Sequence, residues 1–377
     1  MPDPVYLDYA ATAPLRPEAR DAMLAVLSER WGNASSIHRW GREARAALED
    51  ARARFAAVIG ASPAEIVFTR GGTEADNLAV LGRAGLDPHR SVACSAIEHK
   101  AVLEATRAAR ANSLREIAVD GEGRIDVDQV LEIVAGDPPS VLSVVWANNE
   151  VGVIQPVDEV AAICRDAGVA FHSDAVQALG KLRVRVDEIP AALLAFSAHK
   201  IGGPKGVGAL FVRRGMQLSP LMHGGGQERG LRPGTEDVAG AVAFAAAAEA
   251  AEAEREQVMA RIGVLRDRLE AGLRARVPGL VVNAAAAPRL PTISNVSVPG
   301  ADPEMLLMGL DLEGIAASSG SACSSGAVTP SHVLTAMGVA PELAGPSVRF
   351  SLGRETTDAE IDRVLDVFPA VAARVRL

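Results

Sequence analysis

The sequence predicts an α/β protein with a largely parallel central sheet covered on both faces, joined to a second, smaller α+β unit. Three observations carry this. Seven short runs rich in Val, Ile and Phe recur between residues 65 and 212. Alanine-rich amphipathic stretches, such as EARAALEDARARFAAVIG and VDEVAAICRDAG, separate most of them. Past residue 237 the alternation gives way to a long Ala/Glu/Arg helical stretch reaching about residue 276. Strands that alternate with helices argue for βαβ units and a parallel sheet. The 377 residues and 49% hydrophobic content are ample for one large core and a second, smaller one.

In order, the strand candidates are EIVFT (65–69), SVACS (91–95), REIAV (115–119), VLSVVWA (141–147), VAFHS (169–173), ALLAFS (192–197) and VGALFV (207–212). Beyond the long helix, TISNVSV (292–298) and PSVRFSL (346–352) read as strands of the second unit. In doubly wound sheets, ligands gather at the carboxyl ends of the strands. The residues just after each run are therefore the candidates for chemistry.

After EIVFT comes RGGTEADN, where Gly72, Thr73 and Glu74 open a helix. Free backbone N–H groups and the positive end of the helix dipole suit a phosphate there, although the same residues also make a plain N-cap. After SVACS, His99 stands at a helix start, a place where histidine also serves as a cap or a surface residue. After VLSVVWA, Asn148 and Asn149 sit at a strand end with no evident turn duty. Asp174 follows VAFHS, with Gln177 one helical turn on; an aspartate there also caps helices. After ALLAFS come Ser197, His199 and Lys200, then Gly-Gly-Pro, with Lys205 read as a surface residue. A lysine delivered to a strand's carboxyl end is partly desolvated, which lowers its pKa and makes a nucleophilic amine. A phosphate cradle, a carboxylate, a stacking histidine and an amine together describe a site for pyridoxal phosphate.

The totals exclude other classes. The net charge of −9 and scattered arginines argue against a nucleic-acid surface. Cys94, Cys164 and Cys323 show no disulfide or zinc spacing, so no resident metal site is expected and a reducing compartment fits. MPDPVYLDYA does not read as a signal peptide, and VAGAVAFAAAAEAAEAE is too weakly hydrophobic to span a bilayer. The expectation is a cytoplasmic protein without a membrane partner.

Ten motifs run in order along the chain: YLDYAATAPL, GNASSIHRWG, FTRGGTEADN, EHKAVL, ANNEVGVIQP, HSDAVQALGK, SAHKIGGPKG, GGGQERGLRPGT, SSGSACSS and VRFSLGR. They resemble the cysteine desulfurases of the NifS/IscS type, within the class V aminotransferase family. The resemblance implies the aspartate-aminotransferase-like fold of pyridoxal enzymes (fold type I). Its mainly parallel seven-stranded sheet would lie in a large domain, residues 16–255. A small α+β domain would combine residues 1–15 with 256–377 and carry a cysteine loop at about 318–328. A homodimer is implied.

By position, Lys200 matches the Schiff-base lysine, His99 the ring-stacking histidine, Asp174 the partner of the pyridine nitrogen, and Gln177 the residue bonding the phenolic oxygen. Thr73, Ser197 and His199 match phosphate ligands, with Gly72 and Glu74 in the same turn, and Thr235 would reach the phosphate of the neighbouring subunit. Asn149 and Arg349 resemble ligands of the substrate carboxylate, with Asn33 assisting; Asn149 also borders the cofactor. The planar fork of arginine fits a carboxylate bidentately. Departures are local: RGGTE replaces a Ser-Gly-Ala turn, and Trp146 stands where a smaller residue is usual and would alter packing beside the ring. No long tail follows the last helix, so docking to a cluster scaffold through one is not expected.

Cys323 lies in SSGSACSSG, among small and polar residues that build no core. Gly320 and Gly326 supply backbone freedom, and loops of this make-up are commonly functional. The resemblance implies that its thiolate accepts sulfur from L-cysteine, leaving L-alanine and a Cys323 persulfide for an acceptor protein. Cys323 is then also the residue that would contact an iron–sulfur cluster during transfer. Cys94 and Cys164 read as packing residues. The rival readings are a selenocysteine lyase or another class V aminotransferase-type enzyme, and a non-catalytic sulfur-relay or docking subunit.

Overall fold

The computed structural model describes residues 4–110, 114–319 and 330–376. Seven strands form the central sheet: β1 (Ile66–Thr69), β2 (Val92–Ser95), β3 (Leu114–Ile117), β4 (Val141–Ser143), β5 (Ala170–Asp174), β6 (Leu193–Ser197) and β7 (Gly208–Val212). Their spatial order is β1-β7-β6-β5-β4-β2-β3. Every neighbouring pair is parallel except the two made by β7, which runs antiparallel to both β1 and β6. The predicted mainly parallel α/β sheet is what the chain forms.

The strand bounds shift by a residue or more in each case, β3 running Leu114–Ile117 against the predicted 115–119, and two of the shifts bear on the site. β4 ends at Ser143 rather than at residue 147. On the β2 side, the Val145 N–H leaves the ladder for the Glu98 carboxylate at 2.6 Å, while Val144 and Trp146 still donate to His172 and Asp174 of β5. A side chain has taken the place of a strand neighbour. β5 begins and ends one residue later than read, which makes Asp174 its last residue.

Helices α1 (Pro17–Glu29), α2 (Arg39–Ile59) and α5 (Val238–Arg276) pack together over one face, with α3 (Gly72–Ala84) and α4 (Lys100–Arg110) beside the strands. In α2 the buried residues Ala44, Leu48, Ala51, Phe55 and Ile59 recur every three or four positions, which makes one continuous apolar stripe. The helix stops at Gly60, whose φ of 72° is the left-handed conformation that glycine adopts without strain. The run of alanines in the first half of α5 lets this helix lie close against its neighbours, and Phe244 packs on Phe55 with ring centroids 4.6 Å apart. In its second half, Ile262, Leu265, Leu269 and Leu273 join a separate apolar cluster with Leu7, Phe350 and Phe368. There β8 (Ile293–Ser297) and β9 (Ser347–Ser351) pair antiparallel and put Asn295 opposite Arg349. No described helix is long and apolar enough to cross a membrane.

One buried ion pair ties the helical layer to the loop that carries GGGQERGLRPGT. Arg52 of α2 donates both Nη atoms to the Glu228 carboxylate at 2.7 Å, with both side chains almost fully buried. The same carboxylate accepts from the Phe68 N–H in β1, and Arg52 also donates to the Ile66 carbonyl. Glu228 and Arg229 hold φ of 45° and 59°, so the loop backbone is held in a conformation that non-glycine residues rarely adopt. Arg52→Met should leave the Glu228 carboxylate buried without its cation and lower stability by about 3–5 kcal/mol. Urea unfolding checks this, and a loss below about 1 kcal/mol would show that water replaces the guanidinium.

Candidate active site

A cavity of about 320 Å³ opens where β5 and β6 end and α3 begins. Its floor is acidic. Asp174 is 6% exposed, and its Oδ1 accepts from the Val176 N–H at 2.9 Å. Burial raises its pKa, while the charges of His99 and Lys200 oppose that rise. Asp76, 1% exposed, is held still further above the ordinary carboxyl range by burial and then by Asp174. Its Oδ1 lies 3.4 Å from Nε2 of His172, which burial keeps neutral with a pKa near 3. Donor atoms of Asp76, His99 and Asp174 all lie within 4.8 Å of one another. A carboxylate buried beside another carboxyl needs hydrogen-bond donors or positive charge, and the open side of this cluster is the cavity.

Lys200 ends the short 3-10 turn Ala198–Lys200 that directly follows β6, so it stands at the carboxyl end of that strand. Its Nζ donates to the carbonyls of Ala10 and Ala11 at 2.7 Å each. The Ala10 carbonyl also accepts from Nε2 of Gln177 at 2.9 Å. His99 precedes α4, its Nδ1 accepting from the Ala101 N–H while one edge of the ring stays exposed. Desolvation of its inner face lowers its pKa, which favours the neutral imidazole.

At the other end, Gly71 with φ of 134° starts α3, and no side chain caps that helix. The turn is tightly packed: a Cβ on Gly72 would lie 2.8 Å from Val176, and one on Gly208 only 2.7 Å from the Gly71 backbone. Uncapped N–H groups at the start of a helix form an anion site. Ser197 and His199 line the same end. Burial, then the charges of Lys200 and Lys205, hold His199 at a pKa of about 4, so it is a neutral hydrogen-bonding group.

Arg349 is 4% exposed and reaches the cavity from β9. Nη2 pairs with Asp8 at 2.7 Å, Nη1 donates to the Asn149 carbonyl at 2.8 Å, and Nε has no partner among the described residues. Ser318 bonds its backbone to that of Arg349 in both directions, so the chain entering the cysteine segment is tied to this arginine. On the far side of the segment, Ser331 donates to the Glu150 carboxylate and His332 bonds the Glu98 carbonyl at 2.9 Å.

Gly72, Thr73, His99, Asn149, Asp174, Gln177, Ser197, His199, Lys200 and Arg349 thus share one cavity wall. Other predicted residues lie apart from it. The Glu74 carboxylate accepts from the Arg70 N–H and from Arg232. Asn33 accepts from the Ser35 N–H on an exposed turn, and Thr235 is exposed. Cys323 lies outside the described residues, as do Gly320 and Gly326.

Two readings of the sequence are corrected. Asn148 does have a turn duty: its Oδ1 accepts from the N–H groups of Glu150 and Val151, and its Nδ2 donates to Ile97. Trp146 joins the main apolar core, while its neighbours Val145 and Ala147 face the cavity, so its size does not reach the site. Asp8, Glu98 and Lys181 went unread. Asp8 sits inside YLDYAATAPL, but nothing in that string says that it holds an arginine more than three hundred positions away.

These groups suit pyridoxal phosphate: an anion turn, an amine, a buried carboxylate for the ring nitrogen and an amide donor surround one cavity. The family model for class-V aminotransferases matches residues 5–364. A curated relative named cysteine desulfurase, from Gluconacetobacter diazotrophicus, is 45% identical over 99% of this chain and 94% of its own. A solved structure titled NifS-like protein superposes with a TM-score of 0.90 at 34% identity, covering 99% of this chain and 100% of its own. Another, titled SspA in complex with cysteine, gives a TM-score of 0.80 at 31% identity, covering 94% and 100%.

Behind the cavity wall, Glu98 accepts from Ser95 Oγ at 2.5 Å and Val145 N–H at 2.6 Å, and burial raises its pKa from 4.5 to about 8. The folded state therefore holds a proton that the unfolded chain releases between those values, so stability falls as pH rises through that window. Glu98→Gln should flatten this slope in unfolding measured at intervals from pH 5 to pH 8. An unchanged slope would mean that Glu98 is ionised in the folded protein.

Proposed function

The chain belongs to the class-V aminotransferase family, and from that premise we propose how its residues carry out the removal of sulfur from L-cysteine. It is a cysteine desulfurase, and its cofactor is pyridoxal phosphate. When bound, that group supplies an aldehyde that condenses with amines and a ring that accepts the electron pair released at the substrate Cα. Lys200 holds the cofactor and, once displaced by substrate, takes the Cα proton at Nζ. Asp174 keeps the ring nitrogen protonated, Gln177 donates to the phenolic oxygen, and the start of α3 with Thr73, Ser197 and His199 holds the phosphate. The guanidinium of Arg349, already oriented by Asp8, receives the substrate carboxylate. His99, neutral and over the cavity, moves protons to and from the groups that leave and enter.

The thiolate of Cys323 attacks the substrate sulfur. An S–S bond forms as the C–S bond breaks, and the carbon fragment takes up protons to leave as L-alanine. Cysteine and one thiol become alanine and one persulfide, so the step balances without an external oxidant. Two observations support this role. Burial pushes Cys94 and Cys164 up to about 12, which keeps both as inert thiols. Ser318, five positions before Cys323, is anchored to Arg349, and five residues span at most about 18 Å.

The proposal extends to a cytoplasmic homodimer divided at residues 16–255 from 1–15 with 256–377, and to an acceptor protein for the persulfide sulfur. The phosphate end of the cavity continues into an open depression lined by Arg70, Gly71 and Lys205, and this favours entry of the partner's Thr235 there.

The observation that carries the reading is the meeting of Lys200, Asp174 and Arg349 on one cavity. Cys323→Ala should abolish alanine and sulfide formation while the cofactor's visible absorbance stays. Turnover at the wild-type rate in that variant would refute the persulfide step.

A further inference from the structure

Lys181 takes no part in the steps above, yet it is the second amine beside the cavity. It follows Gly180, whose φ of 69° turns the chain tightly; a Cβ there would lie 2.9 Å from Ala251 in α5 and 3.1 Å from Ile201. That turn folds the lysine back along its own chain. Its Nζ donates to the Gln177 side-chain Oε1 at 3.0 Å and to the Gln177 main-chain carbonyl at 3.2 Å. Both hydrogen bonds thus go to one residue.

The consequence concerns which way the Gln177 amide points. An ammonium only donates and a carbonyl only accepts. With Oε1 toward Lys181 and Nε2 toward the Ala10 carbonyl, both contacts are hydrogen bonds. Reversed, the amide would set N–H groups against the ammonium and oxygen against oxygen. The two partners therefore demand the same orientation. Among the described residues none takes the second N–H of Nε2, on a side chain that lines the cavity. We propose that Lys181 is a positioning residue that fixes the Gln177 amide as a donor toward the cofactor's phenolic oxygen. This rests on the pyridoxal reading above and deepens it.

The surroundings agree. Lys181 and Lys200 share a second, small cavity of about 60 Å³ on the far side of the wall. Tyr9, Arg16, Glu254, Arg255, Arg354 and Glu355 are the other titratable groups that face it. Arg16 already pairs with Glu254. Burial, then the charge of Lys200, brings the Lys181 pKa down to about 7. A cation is costly in this position, and the two bonds to Gln177 are what it gains there.

A donor at the phenolic oxygen favours its ionised form and with it the deprotonated form of the cofactor–lysine linkage. The experiment is a pH titration of the visible absorbance of the holoprotein. Lys181→Met should move the midpoint upward by about one unit, the size of effect of one hydrogen bond to a charged group. In a Gln177→Leu background the same substitution should move it by much less, since the amide through which Lys181 acts is gone. The six groups named above are unchanged between the two backgrounds, so their contributions cancel. An unmoved midpoint in Lys181→Met, or an equal shift in both backgrounds, overturns the proposal. Where Lys181→Met does not fold, Lys181→Leu, which likewise has no donor, carries the same comparison. A wild-type protein that takes up no pyridoxal phosphate overturns the cofactor reading and this proposal together, before any variant is made.

Discussion

Asp174 sets the terms for the rest of the site. A carboxylate that is 6% exposed, with a second buried carboxyl and a neutral histidine behind it, costs several kcal/mol unless a cation compensates it. Among the described residues its carboxylate accepts one main-chain N–H, from Val176. The protonated nitrogen of a pyridine ring is the right size and charge to complete the set, and it can do so only from the cavity. Once the ring is placed by that pairing, the amine of Lys200, the amide of Gln177 and the uncapped end of α3 have defined partners. Without it they are a collection of polar groups around water.

The fold delivers these groups by a simple device. Parallel strands end on the same edge of the sheet, so residues as distant in sequence as His99, Asp174 and Ser197 arrive together. Lys200 joins them because the short turn Ala198–Lys200 directly follows β6, before the chain returns to pair antiparallel as β7. The second apolar cluster brings Arg349 in from β9, and Asp8, near the start of the chain, clamps it. Cofactor groups thus come from the sheet edge, while the arginine comes from the smaller strand pair. The two ends of the cysteine segment, at Ser318 and at Ser331, are tied to Arg349 and Glu150, which lie on either side of that junction.

Much of this was legible in the sequence, for identifiable reasons. Strands buried on both faces read as continuous apolar runs, so the sheet was visible, and a lysine or aspartate ending such a run is unusual enough to notice. What was not legible depends on partners distant in the chain. Asn148 looked idle because its duty is to main-chain N–H groups that only a folded turn presents. Trp146 looked close to the cofactor because alternation fixes which neighbours share a face and leaves open which face is the cavity. The early end of β4 follows from Glu98 accepting the Val145 N–H, a competition that no periodicity reveals. Lys181 was one more basic residue until its two bonds to Gln177 were seen.

The central claim is that Lys200, and no other amine of this wall, carries the cofactor on the ring-facing side of Asp174. Borohydride reduction of the holoprotein followed by peptide mass mapping tests it directly, since the reduced linkage survives digestion. The account requires the pyridoxyl mass on the peptide containing Lys200. The same mass on Lys181 or Lys205, or on no peptide, would contradict it.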